Sequence, residues 1–173
     1  MEIGTKSLLF GAHQFLIHPL FVALAWWKLY GFPFDPRLWV AFFVHDLGYW
    51  GKPNIDGKEG KRHPGVGAAI MEWLFGGNRL ILKKHPYHVS WYYFCIYHSR
   101  FLADKDGISY SRLCFADKLS VTLEPWWLYL PCVILTGEIK EYMGFLPVST
   151  FVYKRLWFSG LTRYLKEWVE AHA

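Results

Sequence analysis

The sequence predicts an all-α fold in a single domain, and three observations carry that expectation. Apolar residues recur at helical spacing along most of the chain, strand-type alternation is thin, and no repeat, low-complexity tract or linker divides it. At 173 residues the chain is one domain long, enough to bury roughly 70% of its unfolded surface. Hydrophobic residues make up 53% of it and aromatic residues 20%, against 19% charged, which excludes disorder and coiled coil.

A first helix is expected from Ser7, a good N-cap, to Tyr30, ending where Gly31, Pro33 and Pro36 break the pattern. Asp35 and Pro36 read as N-cap and first position of a second helix running through His45 and Asp46, apolar on all faces and therefore central. Residues 48–65 form a polar loop punctuated by glycine and proline. Further helices are expected at 65–75, 87–102, 109–124, 136–143 and 148–170, and 121–136 reads as an apolar stretch interrupted by Pro125 and Pro131.

The net charge of +5 comes from scattered basic residues, so no clustered basic face for a nucleic-acid polymer is expected. Three cysteines in apolar settings suit neither a disulfide framework nor a CxxC site and point to a reducing, cytoplasmic compartment. Residues 7–27 carry no Asp, Glu, Lys or Arg, a run long enough to cross a bilayer. His13, Gln14, His18 and Pro19 interrupt it, so a buried core helix is the expectation.

Polar residues at apolar positions mark the candidate site. Helical spacing turns His18 inward and His13 to another face. His45 and Asp46 close an apolar run, His98 shares a stripe with Trp91, Phe94 and Cys95, and Asp117 lies with Leu113, Cys114 and Val121. A buried carboxylate costs several kcal/mol unless it is paired or bound to a metal, roughly the penalty of an uncompensated ion. Converging imidazoles and carboxylates suit Mn, Fe, Co, Ni or Zn. His63, ending the basic loop, offers one more ligand, whereas His85 and His88 read as flanking a loop.

The order His18, His45-Asp46, His63, His98 and Asp117 resembles the HD-domain superfamily of metal-dependent phosphohydrolases over about residues 10–124, leaving 125–173 as a C-terminal helical extension. The motifs are HDLG at 45–48, RHPGVGAAIM at 62–71, YHSR at 97–100 and ADKLSVTLEP at 116–125. The interval from His98 to Asp117 and the TLEP ending are most similar to the symmetrical diadenosine-tetraphosphate hydrolases. No acid follows closely after the HD pair, and no HD-GYP signature is present, unlike the nucleotidase and cyclic-dinucleotide branches. The resemblance implies a helical bundle in which His18, His45, Asp46 and Asp117 hold one divalent transition-metal ion. In binuclear branches His63 and His98 complete a second site and Asp46 bridges the two.

The implied activity is hydrolysis of a phosphate ester or anhydride, on a small phosphorylated substrate such as a nucleotide, by a metal-activated water. Asp46 would then be catalytic as well as a ligand, with Arg100 and Lys118 as catalytic cations. Lys52, Arg62, Arg100 and Lys118 would surround the phosphate, and Tyr49 and Trp50 are candidates to stack on a base. Two alternatives stand beside this reading. One is a di-iron oxygenase with the same ligands. The other is a membrane-surface module using the C-terminal stripe Trp157, Phe158, Leu161, Leu165 and Trp168.

Overall fold

The computed structural model describes residues 1–76, 90–144 and 151–173, and among them every regular element is helical. In chain order these are α1 (Ile3–Phe10), α2 (His18–Tyr30), α3 (Pro36–Val44), α4 (Pro64–Phe75), α5 (Trp91–Ile96), α6 (Arg100–Asp106), α7 (Arg112–Leu123), α8 (Trp126–Thr136), α9 (Glu138–Met143) and α10 (Phe151–His172). The all-α expectation holds.

Local chemistry sets most boundaries. The Asp35 carboxylate accepts the Arg37 amide at 2.9 Å and Pro36 occupies the first turn, so α3 begins where the sequence predicts. Ser111 caps α7 by accepting from the Cys114 amide at 3.3 Å, and Ser99 caps α6 by accepting from Leu102 at 3.4 Å. Gly107 and Gly137, both left-handed, end α6 and α8.

Four expected boundaries are corrected. The first helix starts at Ile3, so Ser7 lies inside it rather than capping it, and residues 3–30 are two helices separated by a non-helical segment at 11–17, because Pro19 fits the opening turn of a helix and not its interior. Within the expected 87–102 helix the chain turns at Tyr97–Ser99, where Ser99 starts a new helix; residues 87–89 lie outside the described residues. The HD pair lies past the last residue of α3, with His45 at its C-cap and Asp46 opening a 3-10 turn at Leu47–Tyr49. The interrupted stretch after 125 is a regular helix that accommodates Pro131. The expected helix start at 148–150 also lies outside the described residues, as do His85 and His88.

The main core joins Val22, Ala25 and Trp26 of α2, Ala41 and Phe42 of α3, Ala68 and Met71 of α4, Cys95 of α5, and Leu113 and Ala116 of α7. Burying one such large side chain contributes about 1.5–3 kcal/mol. A second cluster packs Tyr129, Leu130 and Val133 of α8 against Ile139, Met143 and Phe158. The C-terminal stripe is part of this packing. Phe158 stacks on Tyr129 at 4.8 Å, Trp168 on Phe115 at 5.6 Å, and Leu165 is buried, so this stripe is not a free membrane face.

Among the described residues no single helix is long and apolar enough to cross a membrane. The pair α7 and α8, bent by 103°, reaches that length and composition only jointly. The expected all-round burial of the first uncharged run is also corrected: α2 buries Val22, Ala25 and Trp26 but leaves Leu20, Leu24 and Trp27 exposed.

Candidate metal centre

Five helices meet around one polar spot. His18 opens α2, His45 and Asp46 follow α3, His63 immediately precedes α4, His98 follows α5, and Asp117 projects from the middle of α7. All six are buried. Two close approaches explain Gly48 and Gly67 of the motifs. A Cβ on Gly48 would lie 1.9 Å from the His63 carbonyl oxygen, and one on Gly67 would lie 2.8 Å from the His45 Cα. Neither position admits a side chain without pushing a histidine backbone away.

Three of the histidines share one arrangement. His45 Nδ1 donates to the Phe42 carbonyl at 2.9 Å, His63 Nδ1 to the Gly60 carbonyl at 2.8 Å, and His98 Nδ1 to the Cys95 carbonyl, each three residues back. A carbonyl only accepts, so each Nδ1 carries a proton, and in its neutral form each ring presents the Nε2 lone pair inward. His63 Nε2 and His98 Nε2 then face each other at 3.0 Å, and two lone pairs repel unless a cation or a proton lies between them. His45 Nε2 and Asp46 Oδ2 are buried with no hydrogen-bond partner. Such orphans cost about 1–3 kcal/mol each. The donor set therefore fits a metal.

The carboxylate of Asp46 divides the cluster. Its Oδ2 lies 3.2 Å from His45 Nε2 and 3.6 Å from His18 Nε2, while its Oδ1 lies 3.3 Å from His63 Nε2 and 3.5 Å from His98 Nε2. Asp117 Oδ1 closes the first group at 3.2 Å from His18 Nε2. Two groups result, His18, His45, Asp46, Asp117 and Asp46, His63, His98, and each could hold a metal ion.

Without a metal, protons take up part of the charge. Burial alone would lower the His18 pKa, but the Asp117 and Glu124 carboxylates beside it raise it to about 10. Burial likewise opposes protonation of His45, and Asp46 and Asp117 overcome this and raise it to about 9. Burial would raise both carboxyls, yet His45 chiefly holds Asp46, and Lys118 chiefly holds Asp117, well below the ordinary carboxylate range. On the other side burial dominates and lowers His98 to about 4.

A cavity of about 530 Å³ opens onto the cluster. Arg100 and Lys118 line it, whereas Lys52 and Arg62 do not; Lys61 stands in the wall instead. The Lys52 carbonyl accepts from the Gly4 amide at 2.9 Å, which ties that segment to α1, and Arg62 is exposed. Lys118 also donates to Asp117 Oδ2, so it is tied to a candidate ligand rather than free of the cluster. Arg100 opens α6 and donates to the Tyr164 hydroxyl at 3.1 Å, its guanidinium 5.0 Å from the Trp168 ring. Trp50 is exposed and off the wall, whereas Tyr49 lines the cavity with its ring stacked on His63 at 3.9 Å.

Two residues that sequence reasoning passed over belong here. Glu124 Oε1 accepts from His18 Nδ1 at 3.4 Å, the carboxylate–imidazole pairing that orients metal-bound histidines. Its position seven residues after Asp117, two helical turns along, is the signal that could have found it. His13 lines the cavity although helical spacing turned it away, because residues 11–17 are not helical. Ser7 hydrogen-bonds both Glu138 and, at 2.7 Å, His13 Nδ1. Burial lowers the His13 pKa to about 3.

Comparison with protein-family models, with curated proteins and with solved structures finds no match to this chain. Fold and site define its class directly: an all-helical protein whose buried His/Asp groups could hold a metal ion.

Proposed function

We propose that the chain is a metal-dependent phosphohydrolase of the HD-domain type that cleaves a phosphate ester or anhydride of a nucleotide. The observation that carries the reading is Asp46, whose two oxygens each face a different buried group of candidate ligands beneath a cavity whose wall carries Lys61, Arg100 and Lys118 alongside Asp56 and Asp104. His18, His45, Asp46 and Asp117 would hold one ion and Asp46, His63 and His98 a second, from among Mn, Fe, Co, Ni and Zn. Bound there, such ions supply Lewis-acid polarisation of a phosphoryl oxygen and a water that ionises near neutral pH.

The chain's own residues provide the rest. Arg100, Lys61 and Lys118 line the cavity and balance the charge of an anionic group that enters it. Tyr164 and Trp168 of α10 hold the Arg100 guanidinium, so the C-terminal extension completes the wall. Glu124 fixes the His18 ring, and Lys118 keeps Asp117 ionised.

The test is phosphate release by metal-loaded protein across a panel of nucleoside and dinucleoside phosphates. The parent is expected to release phosphate from at least one of them. Arg100→Ala keeps its full metal content and loses roughly a hundredfold in turnover. A parent that binds iron, consumes oxygen and releases no phosphate overturns the reading in favour of the oxygenase.

A further inference from the structure

Away from the cavity the chain builds a second surface of unusual composition. Residues 125–137 carry no charge of either sign, and residues 142–165 carry three cations, Lys154, Arg155 and Arg163, with no Asp or Glu, while Lys166 beyond them pairs with Glu170 at 3.9 Å. These stretches meet where α10 packs on α8. The outer side of a surface helix is ordinarily polar. Here Val152 and Leu156 of α10 are 65% and 62% exposed, and Trp127 of α8 is 62% exposed. Arg155 lies over the Trp126 ring at 4.5 Å, and Trp126 meets Phe151 at 6.1 Å, so a cation and the apolar residues meet in one patch.

We infer that this face docks on the surface of an anionic lipid bilayer. Aromatic side chains with a polar edge settle at the headgroup level, aliphatic ones enter the acyl boundary, and unopposed Lys and Arg are drawn to anionic headgroups. A second copy of the chain is disfavoured by the same charges. A two-fold contact brings each patch against its own copy, and the two Arg155 guanidinium groups would share one apolar interface with no carboxylate of the patch between them. The cavity stays open to solutes, because Leu156 and Tyr164 are eight residues apart on α10, about 12 Å along its axis.

The experiment is vesicle flotation of the full-length, metal-loaded chain, which reads lipid capture alone and does not rest on the phosphohydrolase reading. The protein is expected to float with vesicles of equal parts phosphatidylcholine and phosphatidylglycerol, to stay unbound with phosphatidylcholine alone, and to bind less as salt rises. The double variant Val152→Asp and Leu156→Asp lowers the bound fraction about tenfold at unchanged metal content and circular dichroism. Leu20→Asp, on the exposed side of α2, binds as the parent does. A parent that binds neither vesicle, a double variant that floats as the parent does, or loss of binding in Leu20→Asp overturns the inference. So does light scattering that shows a dimer broken by the double variant with no lipid capture by the parent.

Discussion

Asp46 concentrates the physical tension of the site. It is ionised and buried, one of its oxygens is without a hydrogen-bond partner, and four imidazole nitrogens approach it within 3.6 Å. Its neighbour two residues on sets the second half of the cluster. Gly48 packs against the His63 carbonyl so closely that any Cβ would displace His63. Gly48→Ala is therefore expected to keep the His18, His45, Asp46, Asp117 group and to lose metal at the His63 and His98 side. Metal titration of this variant should reach half the parent's stoichiometry, and an unchanged stoichiometry would refute the role given to that contact. At this scale the six residues of the buried cluster were legible in the sequence as polar groups at apolar positions, and the structure brings them into two groups that could hold a metal ion. Which cations face the cavity was not. Lys61 and Arg62 are adjacent in a 3-10 turn, where one residue rotates a side chain by about 120°, and only the turn's placement decides that Lys61 enters the wall.

The elements matter through what their ends carry. Because α7 bears Asp117 and ends at its C-cap residue Glu124, the cap that starts it holds the first group of candidate ligands in register. Ser111→Ala removes that cap and should lower stability by about 1 kcal/mol, read as a shift of the denaturation midpoint without a change in slope. The same α7 start was legible to within a few residues, because Ser, Gly and Asp punctuate the chain there. The break inside the first apolar run had a local signal in Pro19, which apolar periodicity across residues 11–17 outweighed. What no local pattern shows is the long-range bond that holds the break, in which the buried Glu138 carboxylate accepts the Ala12 amide at 3.3 Å. That bond, with donors from Ser7, Thr136 and Tyr142, ties α1 to α9. Burial raises the Glu138 pKa above its ordinary 4.5. The folded chain therefore binds this proton more tightly than the unfolded chain, and the associated stability is lost as pH rises through the folded value. Glu138→Gln lacks that loss, so its melting temperature relative to the parent should climb between pH 4.5 and neutrality. A relative melting temperature that falls over this range would reverse the sign argued here.

For the whole molecule, convergence is the point that the sequence could suggest but not locate. Five helices with separate apolar faces pack on one core and leave their polar residues at a single junction, while the last helix returns to close the cavity with Tyr164 and Trp168. The C-terminal extension was legible as an amphipathic helix, but its two faces trade roles between core, cavity wall and surface along its length, which periodicity alone does not separate. The account rests on two metal positions that share one carboxylate. Its most direct test is anomalous diffraction from crystals of the metal-loaded protein at the absorption edge of the metal found by elemental analysis. The predicted result is two anomalous peaks per chain, each about 2.0–2.2 Å from a different oxygen of Asp46. A single peak held by His18, His45, Asp46 and Asp117, with His63 and His98 still facing each other empty, would contradict it.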